Sequence, residues 1–210
     1  TKPQHYLKQL GTQENNTQEG SKIVSSYTLQ LRGTIKSSHF KKIREVLQEW
    51  SAGGYAQLTG LDIASSDIDA STLLKGIERL SGDLENLQNL SIRFVGLEDT
   101  DVLELYKYLP PSLMRLILPF NRLTREALGK EIGCLSDSEK GLYRFIRDTD
   151  RFPSLQIIDL RGNPLSGSIS EQSKLQKILA ERSGLTIYVG GNASSNDVFP
   201  DDKFVTTINN

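Results

Sequence analysis

A repeated pattern of apolar residues constrains this chain more than any other feature. Its first, fourth, sixth and eleventh positions are apolar, and the same spacing occurs in four copies. The copies begin at Leu58, Leu87, Leu113 and Leu155. The last two also carry asparagine at the ninth position, as Asn121 and Asn163. Self-similarity of this kind predicts an array of stacked units that share a continuous core.

The spacing of the pattern has a direct structural meaning. Successive side chains of a β-strand point to opposite faces, so the fourth and sixth positions point inward and the residue between them points outward. The asparagine lies where the chain leaves the strand, and its amide can hydrogen-bond backbone groups of the turn that would otherwise be buried without partners. Ser66 and Thr34, at the equivalent positions of other copies, can do this only in part.

Two incomplete copies flank the four complete ones, one near Leu29 and the other near Ile187. Atypical end units are expected in an array whose outer turns have a single neighbour. The fourth positions of consecutive copies are 26 to 32 residues apart, except for a step of 42 residues between Leu116 and Ile158. The long step predicts an insertion at about residues 136–151.

Segments with helical spacing follow most of the predicted strands. Apolar residues recur there at intervals of three and four positions, which is the spacing of a helix with one buried face. The predicted positions are Phe40, Ile43, Val46, Leu47 and Trp50, then Leu73, Leu74, Ile77 and Leu80, then Val102, Leu105, Tyr106 and Leu109, and finally Leu175, Ile178 and Leu179. Because helices need more room than strands, the array should bend with its strands on the concave side.

In these motifs and steps the chain resembles leucine-rich-repeat proteins of the ribonuclease-inhibitor-like class. The resemblance covers about residues 23–192 and implies an α/β fold, a curved leucine-rich-repeat solenoid with parallel β-strands on its concave face and helices on its convex face. It implies about five repeats and a terminal partial one. The chain also looks like intracellular bacterial effector-type leucine-rich-repeat proteins, because it lacks cysteine caps and is rich in Asn, Ser, Lys and Ile.

The two ends differ in composition from the repeats. Residues 1–22 are rich in Gln, Asn, Thr, Lys and Gly, which predicts a mobile polar tail or a weak cap. Residues 193–210 form a predicted C-terminal tail whose strand-like part is suited to cover the exposed edge of the last strand. Within the insertion, Leu142, Phe145 and Ile146 have helical spacing, so we expect an additional helix or an extended convex loop.

No catalytic, cofactor or metal site is expected from the sequence. The chain has two histidines and a single cysteine, Cys134, and contains no H-E-x-x-H or C-x-x-C motif. Gly162 begins a loop with two glycines at the spacing of a phosphate-binding loop, but Ser168 stands where that loop needs lysine. Asp67 and Asp69 fall at a predicted helix start, where capping explains acidic residues better than metal binding.

Composition argues against several classes of protein. Apolar residues make up 37% and charged residues 24% of the chain, with 25 Lys and Arg against 26 Asp and Glu, so neither a disordered chain nor a nucleic-acid partner is expected. The apolar runs are too short for a membrane span. A lone cysteine cannot form an intramolecular disulfide, which favours a cytoplasmic location or, for a bacterial effector, secretion into the host cell.

The residues that point outward from the predicted strands form the surface most suited to binding. Arginine and aromatic residues, which are enriched at interaction hot spots, concentrate over its middle and C-terminal repeats. The predicted partner-binding residues are Arg93, Phe94, Arg115, Ile117, Phe120, Asp159, Arg161 and Tyr188. The alternative is that the arginines are solvated or paired with Asp159 and that both phenylalanines pack into the turns as core.

A complete repeat scaffold without a catalytic constellation predicts a non-enzymatic protein–protein interaction module. We expect it to bind a protein partner through its concave face, and a bacterial effector acting in a host cell is one form of this role. Because the chain begins at Thr1, the alternative is the substrate-recognition part of a larger ubiquitin-ligase-type or GTPase-regulating protein. A stand-alone catalytic role is the least favoured expectation.

Overall fold

Each predicted repeat contributes one strand to a seven-stranded sheet. The computed structural model describes residues 12–19, 22–53, 56–65, 67–124, 141–164 and 182–189. The strands are β1 (Thr12–Glu19), β2 (Lys22–Arg32), β3 (Ala56–Ala64), β4 (Asn89–Arg93), β5 (Arg115–Ile117), β6 (Ile157–Asp159) and β7 (Thr186–Tyr188). Strands that are neighbours in the chain are also neighbours in the sheet.

The strands β2 to β7 pair in parallel, whereas β1 pairs with β2 in the antiparallel direction. In each parallel strand, one residue lies between the two inward apolar positions of the repeat. The register of the sheet places these residues side by side across the strands. This central column is Gln30, Asp62, Ser91, Ile117, Asp159 and Tyr188. The predicted α/β class with one parallel strand per repeat is therefore confirmed, and the polar residues of β1 extend the sheet at its N-terminal edge.

Helices lie between consecutive strands of the array. They are α1 (Ser37–Gly53), α2 (Ala70–Leu80), α3 (Asp99–Tyr108) and α4 (Gly141–Arg147), and a 3-10 helical turn, Ser81–Asp83, extends α2. The predicted cap is confirmed at Asp69, whose Oδ1 accepts a hydrogen bond from Thr72 N at 2.8 Å. Asp67 instead accepts a hydrogen bond from Thr34 Oγ1 at 3.2 Å.

The core lies between the sheet and the helices. The fourth position of the motif is at most 1% exposed in all six parallel strands, at Leu29, Leu61, Leu90, Leu116, Ile158 and Ile187. The apolar residues predicted for α1, α2 and α3 join the same cluster, with Trp50 and Tyr106 only partly buried at its margin. Burial of each apolar side chain of this size contributes about 1.5–3 kcal/mol to the free energy of folding. The stability of the array is therefore the sum of many such contributions spread along the repeats.

The amide of Asn121 bridges two consecutive repeats. Its Oδ1 accepts hydrogen bonds from the backbone N–H groups of Val95, Gly96 and Leu97, at 3.3, 3.1 and 3.2 Å. Its Nδ2 donates to the carbonyl of Ile92 at 2.8 Å and to those of Leu118 and Pro119 at 3.1 and 3.3 Å, in its own repeat. The side chain thus satisfies buried polar groups on both sides of the repeat boundary.

Asn163 repeats this arrangement one unit later. Its Oδ1 accepts hydrogen bonds from the N–H groups of Asn121 and Leu123, both at 3.1 Å, and its Nδ2 donates to the carbonyls of Leu118 and Leu160 at 2.8 and 2.9 Å. In the earlier boundary the bridge is made by Ser65, whose Oγ donates to the carbonyl of Gly33 at 2.6 Å. The asparagines therefore do what the motif predicts.

The insertion forms the helix α4, which packs against α3 through aromatic rings. Tyr106 meets Phe145 and Phe152 edge-on, with ring centroids 5.5 Å apart in both cases. Tyr106 Oη also donates to the carboxylate of Asp148. This hydrogen bond lowers the pKa of Asp148, and burial, together with the same bond, raises the pKa of Tyr106.

Arg182 ties the insertion to the end of the array. Its guanidinium is buried and donates to the carbonyls of Phe145, Ile146 and Leu155 at 2.8, 3.1 and 3.3 Å, and also to that of Phe152. Burial lowers the pKa of this arginine. A cation near the C-terminal end of α4 also interacts favourably with the negative end of the helix dipole.

Several predictions fall outside the described residues. They are the helix with Leu175, Ile178 and Leu179, the role of Ser66, the tail at residues 193–210, and the first residues of the 1–22 segment. Within the described ranges, no helix combines the length and the apolar character that crossing a bilayer requires.

Replacing Asn121 with alanine is expected to lower the free energy of unfolding by roughly 3 kcal/mol or more, because each buried N–H group left without a partner costs about 1–3 kcal/mol. The control is Asn89→Ala, at a half-buried asparagine whose amide makes no hydrogen bond within the described ranges; a change within about 0.5 kcal/mol is expected there. Urea denaturation measures both. Equal losses in the two variants would contradict the bridging role of Asn121.

Candidate functional site

The sheet face that carries the central column, predicted to be concave, is here called the front face. Most of its central column is buried: Asp62, Ser91, Ile117, Asp159 and Tyr188 are all at most 8% exposed. Ionised carboxylates are rarely buried unless they are paired. The two aspartates therefore require cationic partners on the same face.

Asp62 lies between two arginines from the neighbouring strands. Arg32, on β2, contacts its Oδ2 and also donates to its backbone carbonyl at 3.0 Å. Arg93, on β4, places Nη2 at 3.3 Å from the same carboxylate oxygen. The side chain of Arg32 is 40% exposed, whereas those of Arg93 and Asp62 are 4% and 1% exposed. Arg32 therefore faces solvent, whereas Arg93 and Asp62 form a buried ion pair in the front face.

Asp159 and Arg161 form a second buried pair, within one repeat. Arg161 donates from Nε to Asp159 Oδ1 at 3.0 Å and from Nη2 to Oδ2 at 2.7 Å, which is the two-pronged geometry that strengthens arginine–carboxylate pairs. Its guanidinium carbon also lies 5.7 Å from the ring centroid of Tyr188. The charge pair and the ring thus form one packed unit across β6 and β7.

The column on the N-terminal side of the central one is more accessible. Asn89, Arg115, Ile157 and Thr186 are all half-buried and lie in register across β4 to β7. Among the described residues, no ion pair or hydrogen bond involves the side chain of Arg115. Arg115 therefore presents a cation that a partner can bind.

Phe94 and Phe120 stack on one another where the chain leaves β4 and β5. Their ring centroids are 4.7 Å apart and their planes differ by 9°. Phe94 is 39% exposed, and it is the one exposed large hydrophobic side chain among the described residues. This pair is here called the aromatic step.

Both phenylalanines have a left-handed backbone, with φ of 61° at Phe94 and 56° at Phe120. Two other repeats place glycine at this point of the turn, Gly33 and Gly162, each with a φ of 70°. A side chain in this conformation costs about 1–2 kcal/mol relative to the right-handed region. Gly162 also leaves room for its neighbour, because a Cβ at this residue would lie 2.6 Å from the ring of Phe120.

Exposure divides the eight predicted partner-binding residues into two groups. Phe94, Phe120 and Arg115 are exposed or half-buried, and they can touch a partner directly. The other five are buried in the front face, and together they are here called the floor: Arg93, Ile117, Asp159, Arg161 and Tyr188. The pairing of Arg161 with Asp159 is the arrangement expected under the alternative interpretation, whereas the exposure of Phe94 is not.

Sequence reasoning missed Arg122 as a candidate. This residue lies two positions beyond Phe120, is exposed, and packs over Gly96, where an added Cβ would lie 3.5 Å from Arg122 Nε. Its place just past the motif asparagine marks it as a turn residue, and nothing in the repeat pattern requires a charge there.

The described residues contain no group of three or more His, Cys, Asp and Glu side chains arranged to hold a metal ion. The carboxylates of Asp62 and Asp159 instead pair with arginines, and the accessible groups that remain are the stacked phenylalanines, Arg122 near their turn and Arg115 on β5. That arrangement can bind another molecule through apolar contact and charge.

No protein-family model matches the sequence, and comparison with curated proteins gives no match. Among solved structures, the chain is similar to the tropomodulin C-terminal domain of Caenorhabditis elegans, with 18% sequence identity and a TM-score of 0.43. The superposition covers 63% of this chain and 72% of that one.

Replacing Phe94 with glycine is expected to change the free energy of unfolding by no more than about 1 kcal/mol. The substitution relieves a backbone cost of about 1–2 kcal/mol, and this offsets the loss of a stacked pair worth about 0.5–1.5 kcal/mol. For comparison, Phe145→Ala in the core should cost about 3–5 kcal/mol. Urea denaturation distinguishes the two, and a loss at Phe94 as large as that at Phe145 would show that Phe94 is a core residue.

Proposed function

We propose that this chain is a non-enzymatic binding module that docks a protein partner on its front face. The observation that carries the proposal is the aromatic step, a stacked pair of phenylalanines in a left-handed backbone conformation, of which Phe94 is exposed and Phe120 is half-buried. Strained backbone and exposed aromatic surface are both unfavourable for the isolated chain, and such features concentrate at functional sites. Aromatic residues and arginine also supply much of the energy at protein interfaces.

The two groups of predicted residues have different roles in this proposal. Phe94, Phe120 and Arg115 contact the partner. The buried pairs Arg93–Asp62 and Arg161–Asp159 hold the floor in one arrangement, so little side-chain freedom is lost when a partner binds. Ile117 and Tyr188 fill the floor between these pairs.

The finer predictions from the sequence belong to the same proposal. A curved solenoid of the ribonuclease-inhibitor-like class, with the front face concave, is supported by the sequential order of parallel strands and by helices that pack on one side of them. A bacterial-effector role is supported by composition alone. The substrate-recognition part of a larger ubiquitin-ligase-type or GTPase-regulating protein stays the alternative.

Site-specific photocrosslinking tests the proposal. A photoreactive phenylalanine analogue at Phe120 should capture a protein in a lysate of cells that express the chain, and the same analogue at Lys41, exposed on α1, should not. Excess unlabelled chain should abolish capture. Competition by the Phe94→Gly, Arg115→Glu variant should be weaker by at least about tenfold, which corresponds to about 1.4 kcal/mol.

Two results would contradict the proposal. One is capture of the same proteins from both positions, which would indicate non-specific contact. The other is full competition by the double variant, which would show that the partner binds elsewhere. Circular dichroism of the variant, compared with the unaltered chain, controls for loss of structure.

A further inference from the structure

The charges of the front face differ in balance from those of the whole chain. Over the complete sequence the formal net charge is −1. The central column and its two flanking columns contain four arginines, Arg32, Arg93, Arg115 and Arg161, and two aspartates, Asp62 and Asp159. A surplus of cationic charge is thus concentrated on a face whose own carboxylates are already paired.

Arg122 adds a further cation beside the aromatic step. Among the described residues, its side chain makes no ion pair or hydrogen bond, and it packs over Gly96 next to the turn that carries Phe94. Within the described ranges, the acidic residues at the start of α3 are engaged: Glu98 and Asp101 form its capping box, and Asp99 accepts from Thr124 N at 2.9 Å. Arg122 therefore lies beside an exposed apolar side chain, and no carboxylate among the described residues pairs with it.

We infer that the occupant of the aromatic step is an acidic protein segment that carries an apolar side chain. The apolar side chain covers the stacked rings of Phe94 and Phe120, which removes aromatic surface from water. Carboxylates before or after it in the segment pair with Arg122 and Arg115, because guanidinium groups bind carboxylates with two parallel hydrogen bonds. This inference rests on the proposed protein-binding function and names the chemistry of its partner.

Aromatic rings beside arginines also suit single-stranded nucleic acid, but the front face favours a peptide. Nucleic-acid grooves present cations along the whole path of the phosphate backbone. Here Asp62 and Asp159 neutralise part of the cationic charge along the central path, and the chain as a whole is slightly acidic. One accessible cation beside the aromatic step, Arg122, and a second at the start of β5, Arg115, match a short acidic segment better than a repeating polyanion.

Selection from a displayed library of short random peptides tests the inference with the full chain as bait. The recovered peptides should be enriched in Asp and Glu close to Phe, Trp, Leu or Ile. Their affinity should fall about tenfold in Arg122→Glu, as expected for a lost charged hydrogen bond of about 1.5 kcal/mol. Lys41→Glu is the matched control, since it makes the same change of charge on exposed α1 and should leave the affinity unchanged. Higher salt should weaken binding to the unaltered chain and have less effect on Arg122→Glu.

Four outcomes would overturn the inference. Peptides that are basic or uncharged but are lost in Phe94→Gly would show the wrong partner chemistry while leaving the protein-binding function in place. Equal effects of Arg122→Glu and Lys41→Glu would exclude a local role for Arg122. Recovery of no peptide that depends on Phe94 would exclude a linear segment as the occupant. Tighter binding of a single-stranded oligonucleotide than of any selected peptide, measured by fluorescence anisotropy, would assign the surface to nucleic acid.

Discussion

The amide of Asn121 is the interaction on which the geometry of the front face most depends. It satisfies three successive N–H groups in the turn after β4 and also binds carbonyls on both sides of the repeat boundary. Because that turn is held by the next repeat, Phe94 and Phe120 leave their strands at equivalent points. Their rings then stack across the boundary at 4.7 Å. A polar group buried in the core thus determines where the apolar surface outside is placed.

The parallel strands β2 to β7, their order and their register could be predicted from the sequence because they depend on a local period. The strand β1 lies in a segment without that period, and the sequence does not predict it as a strand. Because side chains alternate along a strand, Asp62, between Leu61 and Ile63, and Ile117, between Leu116 and Leu118, must point to the same face of the sheet. Stacking of the repeats then aligns such residues across strands. The helical segments followed from spacing in the same way. By contrast, Arg182 reaches backbone carbonyls 27 to 37 residues away in the chain, and no local pattern predicts such a contact.

Exposure on the front face could be predicted only in part: pairing of arginines with Asp159 was one interpretation of the sequence, but the pair of Arg93 with Asp62 joins two strands and has no local signal. The sequence placed Arg93, Asp159 and Arg161 on the right face, yet their charge pairs bury them. A buried charge pair adds little to the free energy of folding, because removing both charges from water costs about as much as their attraction gains. The pair does, however, fix the arrangement of the neighbouring side chains. The aromatic step is the opposite case, since Phe94 and Phe120 accept backbone strain and stay accessible. The face therefore combines a layer of buried, paired charges with an aromatic pair in which Phe94 is exposed and Phe120 is half-buried.

Hydroxyl-radical footprinting of the free chain, read out by mass spectrometry, tests this division of the front face most directly. The account predicts that Phe94 is oxidised rapidly, whereas Tyr188 in the floor and Phe152 in the core are protected, since both are nearly inaccessible to solvent. Oxidation of Tyr188 as fast as that of Phe94, or protection of Phe94 to the level of Phe152, would contradict it.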